Sequence, residues 1–122
     1  MSKNRPGIDQ HIVIALEHIH WPIVTPKGKK FFIRKNARDR TGIEHIAEKR
    51  HHLKIVDIEV LPSLLANPLR ERRDPTNKSC WNYMGRRRGK QDRPFLKVIT
   101  MLNQKNRNEE TIVTIYPIKS LN

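Results

Sequence analysis

Three segments near the end of the chain, Ser79 to Gly85, Phe95 to Leu102 and Thr111 to Ile118, constrain the fold more than anything before them. Each has the length of one strand and is rich in β-branched or aromatic residues. Arg86-Arg87-Arg88-Gly89-Lys90 and Asn103 to Glu110 separate them as polar turns, so a consecutive antiparallel meander is expected. In the last segment, strict alternation puts Ile112, Thr114, Tyr116 and Ile118 on one face and Thr111, Val113 and Ile115 on the other.

The preceding sequence reads mainly as helix. Asp9 to His20 is apolar at Ile12, Leu16 and Ile19, a near-helical spacing, and Pro22 ends it. Ile23-Val24-Thr25 and Phe31-Phe32-Ile33 flank Pro26-Lys27-Gly28-Lys29 and predict a hairpin with a basic tip. A helix is expected from Thr41, with Thr41 and Glu44 forming a capping box. Its apolar stripe is Ile43, Ile46, Ala47 and Leu53, and Arg50 falls on that stripe; His45 and His52 project to the far side and His51 to the flank. A cation in that position either snorkels past the core edge or borders a charged cleft. A second helix lies between Asp57 and Ala66, with Pro62 suited to an opening turn and Asn67-Pro68 as the stop. Leu69 to Lys78 reads as a charged connector.

Helices followed by a meander define an α+β fold, with N-terminal helices packed on a C-terminal antiparallel sheet. The expected organisation is a single domain over 1–122: a helix and basic hairpin in 1–40, two helices in 41–68, and strands in 79–118.

Charge narrows the function classes. The chain carries 25 Lys+Arg against 12 Asp+Glu, a formal net charge of +13, and its field attracts phosphate polymers. Lys27, Lys29, Lys30, Arg34, Lys35, Arg38 and Arg40 crowd one short span with Asp39 as its sole acid, a dense candidate phosphate contact. Cys80 is the only cysteine, so an intramolecular disulfide is excluded. The longest apolar run, Ile12 to Leu16, is far too short to span a bilayer, and no membrane partner is expected.

Metal-dependent nuclease chemistry needs clustered carboxylates, and Glu44, Glu48, Asp57 and Glu59 form no ordered constellation. His18-x-His20 could coordinate a metal, but such a pair is more often two ordinary surface histidines, and neither a metal nor a cofactor is expected. Ribonucleolytic transesterification asks for less, because the substrate's own 2′-hydroxyl is the nucleophile. The protein supplies a base, an acid for the leaving 5′-oxygen, and cations or hydroxyls for the charge developing on phosphorus. His45 and His51, with Arg50 or Lys49 and the hydroxyls of Thr114 and Tyr116, make such a set.

The order His45-Ile46, Lys49-Arg50-His51, Leu61-Pro62-Ser63-Leu64-Leu65 with Asn67-Pro68, and a meander ending in Val113-Thr114-Ile115-Tyr116 resembles phage-associated members of the barnase, EndoU, colicin and RelE-like nuclease superfamily. The Thr114-x-Tyr116 ending is similar to the hydroxyl-x-aromatic pattern on the last strand of colicin-type tRNases. The resemblance spans Gly42 to Ile118. It implies a helix-plus-antiparallel-sheet ribonuclease fold, metal-independent RNA cleavage with tRNA among the substrates, and an acidic immunity or antitoxin protein that plugs the basic cleft. It further implies action in the cytoplasm after delivery as part of a larger secreted or phage protein. The family's helical histidine maps to His45 or His51. Lys29, Lys30, Arg34, Lys49, Arg86, Arg87 and Arg88 are the candidate RNA contacts.

Two alternatives use the same charge. One is a non-catalytic nucleic-acid-binding module, for which Trp81 and Tyr83, on one face by alternation, offer a stacking platform. The other is a structural or adaptor protein of a phage particle. Changing His45 and His51 to Ala separates them from the enzyme, which loses cleavage but keeps binding.

Overall fold

The computed structural model describes residues 7–35 and 42–121. In chain order it comprises helix α1 (Gln10–His18), strands β1 (Ile23–Val24) and β2 (Lys30–Ile33), helix α2 (Ile43–Ile46), a single 3₁₀ turn (Lys49–His51), helices α3 (Ile55–Glu59) and α4 (Leu61–Ala66), and strands β3 (Arg70–Arg73), β4 (Cys80–Arg86), β5 (Phe95–Leu102) and β6 (Glu109–Ile118). This is an α+β fold built on one mixed six-stranded sheet of order β1-β2-β6-β5-β4-β3.

The meander forms as expected, β4 to β5 to β6, all antiparallel. The Lys29-containing hairpin also forms, β1 against β2. It adds to the sheet in a way the sequence did not announce: β2 runs parallel to β6, Lys30 to Ile33 against Glu109 to Ile112. The expected connector from Leu69 onward is instead β3, an edge strand whose four residues, Arg-Glu-Arg-Arg, show no apolar alternation. Edge strands rich in charge resist pairing with other chains, which is why such a segment does not look like a strand.

Helix α1 starts at Asp9, whose carboxylate accepts from the His11 amide at 3.0 Å. It ends two residues before His20, where the Leu16 carbonyl accepts from the Ile19 amide at 3.3 Å and from the Trp21 indole at 2.8 Å. Ile12 and Leu16 are buried as the spacing predicts. They meet Ile46, Ile58 and Leu61 from the short helices and Phe31, Leu96, Val98, Ile112 and Ile115 from one face of the sheet.

Close packing on that face depends on Gly85. A Cβ added there would stand 2.5 Å from Leu64 Cγ, so the missing side chain lets α4 settle on β4. Tyr83 and Gly85 pair with Val98 and Leu96, and these pair in turn with Ile115 and Pro117. The helices therefore cover the face bearing Tyr83, Gly85, Leu96, Val98 and Ile115.

The alternation expected along the last strand fails at a β-bulge. Ile99 pairs with Thr114 but Thr100 pairs with Ile112, so Val113 is the extra residue on β6. The bulge flips the phase: Glu110 and Ile112 point into the core, and beyond it Ile115 and Pro117 do. Thr114, Tyr116 and Ile118 share the opposite face, without Ile112. Among the described residues no helix is long and apolar enough to cross a membrane.

Candidate functional site

The segment expected as one helix from Thr41 is broken. Thr41 itself, with its half of the capping box, lies outside the described residues, as do Arg38, Asp39 and Arg40. Helix α2 is a single turn capped by Gly42 without a side-chain bond. Glu48 then leaves the helical path to form an isolated antiparallel bridge with Ile8, and the Lys49 amide donates to the Gly7 carbonyl at 2.8 Å. The 3₁₀ turn follows and is closed by His52 in the left-handed region, φ 55°.

That break creates the site. On a straight helix His45 and His51, six residues apart, would diverge by about 120° around the axis. Here their rings meet edge to face with centroids 5.3 Å apart. His45 Nδ1 lies 2.8 Å from Glu48 Oε1, and His51 Nδ1 lies 3.0 Å from the Ile46 carbonyl oxygen. Both contacts fit an Nδ1–H donor, which leaves Nε2 of each ring as the atom free to exchange a proton. Arg50 is not on an apolar stripe. It is largely exposed and donates through Nε and Nη2 to Glu48 Oε1 at 3.2 and 3.0 Å.

Desolvation holds the His45 imidazole below its ordinary value, with His51 and Arg50 adding to the effect against the opposing pull of Glu48. Glu48 is itself held low, because hydrogen bonding and charge from Arg50, with help from His45, outweigh its desolvation. At neutral pH the pair is a neutral imidazole oriented by a carboxylate, an arrangement suited to a general base.

His51 lines a cleft of about 470 Å³ together with Arg50, His52, Lys54, Arg87, Arg93 and Tyr116. Its wall is anchored from beneath by Asp57, fully buried, which accepts from Arg87 Nε at 2.8 Å and Nη2 at 2.7 Å and from the Lys54 amide at 2.7 Å. Arg87 also donates to the Arg93 carbonyl at 3.1 Å and so braces the loop between β4 and β5. Arg87, a candidate RNA contact by sequence, is thus buried and committed to a carboxylate. Only the fold pairs Asp57 with a residue thirty positions on.

Tyr116 is the expected hydroxyl residue that reaches this cleft. Thr114 does not line it. Register places Thr114 in a row with Arg72, Asn82 and Ile99, and Tyr116 in a row with Arg70, Met84 and Lys97, on the sheet face turned away from the core. The third row holds Arg86, Phe95 and Ile118. This face carries cations over aromatic rings: the Arg86 guanidinium 5.3 Å from the Phe95 centroid and Lys97 Nζ 5.7 Å from that of Tyr116. Arg70 Nη1 also donates to the Leu121 carbonyl at 3.2 Å, so the chain after β6 returns toward β3.

Other expected contacts are dispersed. Lys49, beside a second hollow with Asp9 and Glu48, and Arg88, in the loop after β4, are exposed but do not line the cleft, and Lys30 and Arg34 are exposed at the two ends of β2. Lys29 is tied into a buried network at the other end of β6. Its Nζ lies 2.9 Å from Glu110 Oε2 and donates to the Tyr83 hydroxyl at 3.0 Å, while the Tyr83 and Thr100 hydroxyls donate to the same carboxylate. Desolvation and Glu110 push the Tyr83 hydroxyl far above its ordinary range. Tyr83 is therefore no stacking platform: it is 2% exposed and edge-on to Phe31 in the core. Trp81 shares its face, partly buried against the core, with the Arg73 guanidinium 6.0 Å from its ring.

Among the described residues, His45, Glu48 and His51 bring one potential metal-ligand atom each to within 4.8 Å of one another. From the sequence no metal is expected, since Glu44, Glu48, Asp57 and Glu59 form no ordered constellation along the chain. No known protein family, curated protein or solved structure matches the chain.

Proposed function

We propose that the protein is an endoribonuclease that cuts RNA by internal transesterification, and that its fold is a variant of the barnase, EndoU, colicin and RelE-like design. His45, neutral and aligned by Glu48, takes the proton from the 2′-hydroxyl as that oxygen bonds to phosphorus. His51 gives a proton from Nε2 to the departing 5′-oxygen as the P–O5′ bond breaks. The products are a 2′,3′-cyclic phosphate and a 5′-hydroxyl, and no metal enters the scheme. Arg50 and the Tyr116 hydroxyl face the charge growing on the phosphoryl oxygens. The observation that carries this reading is the edge-to-face contact of two imidazoles at 5.3 Å beside a cleft lined by cations and Tyr116.

The strand approaches from the sheet face that no described helix covers, where Arg70, Arg72, Arg86 and Lys97 attract phosphates and Phe95 and Tyr116 offer rings to bases. Thr114 acts from this face as a contact to the strand. An acidic inhibitor protein would find the same surface complementary. The substrate reading, tRNA included, rests on the resemblance alone.

Incubating the protein with total cellular RNA in EDTA and mapping product ends tests the proposal. Cyclic phosphate ends that vanish in His45→Ala and His51→Ala support it; intact RNA at saturating protein overturns it. The open face favours one second reading, a binding module without catalysis. Under that reading RNA is retained but not cut, and both histidine variants bind as well as the parent.

A further inference from the structure

We propose that His45, Glu48 and His51 form a site for a divalent transition ion, Zn²⁺ above all, and that occupancy of this site blocks RNA cleavage. The binding half stands on the side-chain geometry; the blocking half rests on the ribonuclease reading.

Imidazole nitrogen and carboxylate oxygen are the donors Zn²⁺ takes, at about 2.0 to 2.2 Å, which in a tetrahedron sets donor atoms about 3.3 Å apart. The three donors here lie within 4.8 Å of one another, so the set closes by small side-chain rotations. Glu48 and His45 are half-buried and already touch at 2.8 Å. His51 is oriented from behind: its Nδ1 against the Ile46 carbonyl is the outer contact that metal-binding histidines use to fix the ring and leave Nε2 as ligand. Three protein donors leave a fourth coordination position for water; of the three, His51 lines the cleft. The backbone holds the set as well, since the Ile8–Glu48 bridge and the left-handed His52 fix the turn on which all three residues sit.

Arg50 gives the proposal its sharpest consequence. Its guanidinium sits on the same Glu48 oxygen that would face the ion, and a cation there opposes a second one. Arg50 therefore assists catalysis and resists metal. Removing it moves the two properties in opposite directions, which a general loss of structure cannot do.

The test titrates the full chain with ZnCl₂ by calorimetry and with CoCl₂ by visible absorption, alongside RNA cleavage in a chelated buffer with and without added Zn²⁺. Expected are one ion per chain, a low-coordinate Co²⁺ spectrum, at least tenfold weaker binding in His45→Ala and in Glu48→Gln, and several-fold tighter binding in Arg50→Ala. His18→Ala/His20→Ala leaves binding unchanged. Thermal melts of each variant confirm that it is folded. Absence of a one-to-one complex, or a complex indifferent to His45→Ala and Glu48→Gln, overturns the site. Cleavage that continues at full occupancy, or quickens, overturns the block. A bound ion in a chain that cuts no RNA keeps the site and removes the ribonuclease reading instead.

Discussion

Arg87 grips Asp57 through two parallel hydrogen bonds of 2.8 and 2.7 Å, with the guanidinium and the carboxylate both withdrawn from solvent. The pair joins the first turn of α3 to the loop that follows β4, and it forms the base on which the cleft is assembled. Truncating one partner leaves the other charged and buried. Asp57→Ala should cost about 3–5 kcal/mol of folding stability by urea denaturation. Replacing both partners with apolar residues of similar volume should recover most of it. A double variant no more stable than the single one would show that the pair does not act as a unit.

Gly85→Ala places a methyl group against Leu64 and should lower stability by about 1–3 kcal/mol through overpacking. In a Leu64→Ala background, where the clashing atoms are gone, the same Gly85→Ala change should cost less than it does in the parent. Equal melting temperatures for Gly85→Ala and the parent would mean that α4 does not lie where the helices meet β4.

The His45 imidazole should titrate below its ordinary value when followed by NMR, since desolvation disfavours its charged form. The unfolded chain then binds the proton more readily than the folded one. Stability from this group is present above pH 6.5 and is lost as pH falls from there through the lower folded value. In the ribonuclease reading, Glu48→Ala should move the His45 NMR titration and the acid limb of cleavage lower together, because Glu48 stabilises the imidazolium.

Asp74 sits in the turn after β3 and accepts from the Thr76 amide and hydroxyl, both at 2.8 Å, and from the Asn77 amide at 3.1 Å. These bonds hold its carboxyl below the ordinary range, the Thr76 amide contributing most. Its stabilising effect is complete above the unfolded carboxyl value and disappears as pH falls through the folded one. Asp74→Ala should therefore lower the melting temperature at pH 7 and leave it nearly unchanged near pH 2. A pH-independent deficit would point to the backbone of the turn rather than its charge.

His52→Gly should leave the fold intact and raise stability by up to about 1 kcal/mol, because a left-handed residue with a side chain is strained. In the ribonuclease reading its RNA cleavage should match the parent within a few-fold, in contrast to His51→Ala. A collapse of activity in His52→Gly would assign His52 a chemical part.

The sequence made some of this legible. Phe95 to Leu102 announced itself because its own alternation runs unbroken, the extra residue of the bulge lying on β6 opposite it, and Ile12 with Leu16 marked the buried side of α1. Arg70 to Arg73 stayed hidden because an edge strand needs no apolar side. Val113 hid the bulge, since β-branched residues fit a regular ladder equally well. Local spacing brought His45 and His51 into one candidate set but for the wrong reason: a continuous helix would have kept them apart, and only the bridge from Ile8 turns the chain back. The Asp57–Arg87 pair had no local signal, because its cause is the stacking of α3 on the loop end of β4.

The parallel pairing of β2 with β6 joins residues about eighty positions apart, Phe31 beside Glu110. Closing so long a loop is slow and gives nothing back until both strands are present. During synthesis, a nascent chain still lacking its final strand has neither the middle of its sheet nor Tyr116. The cleft that Tyr116 lines therefore stays incomplete on the ribosome until β6 has emerged and paired with β2.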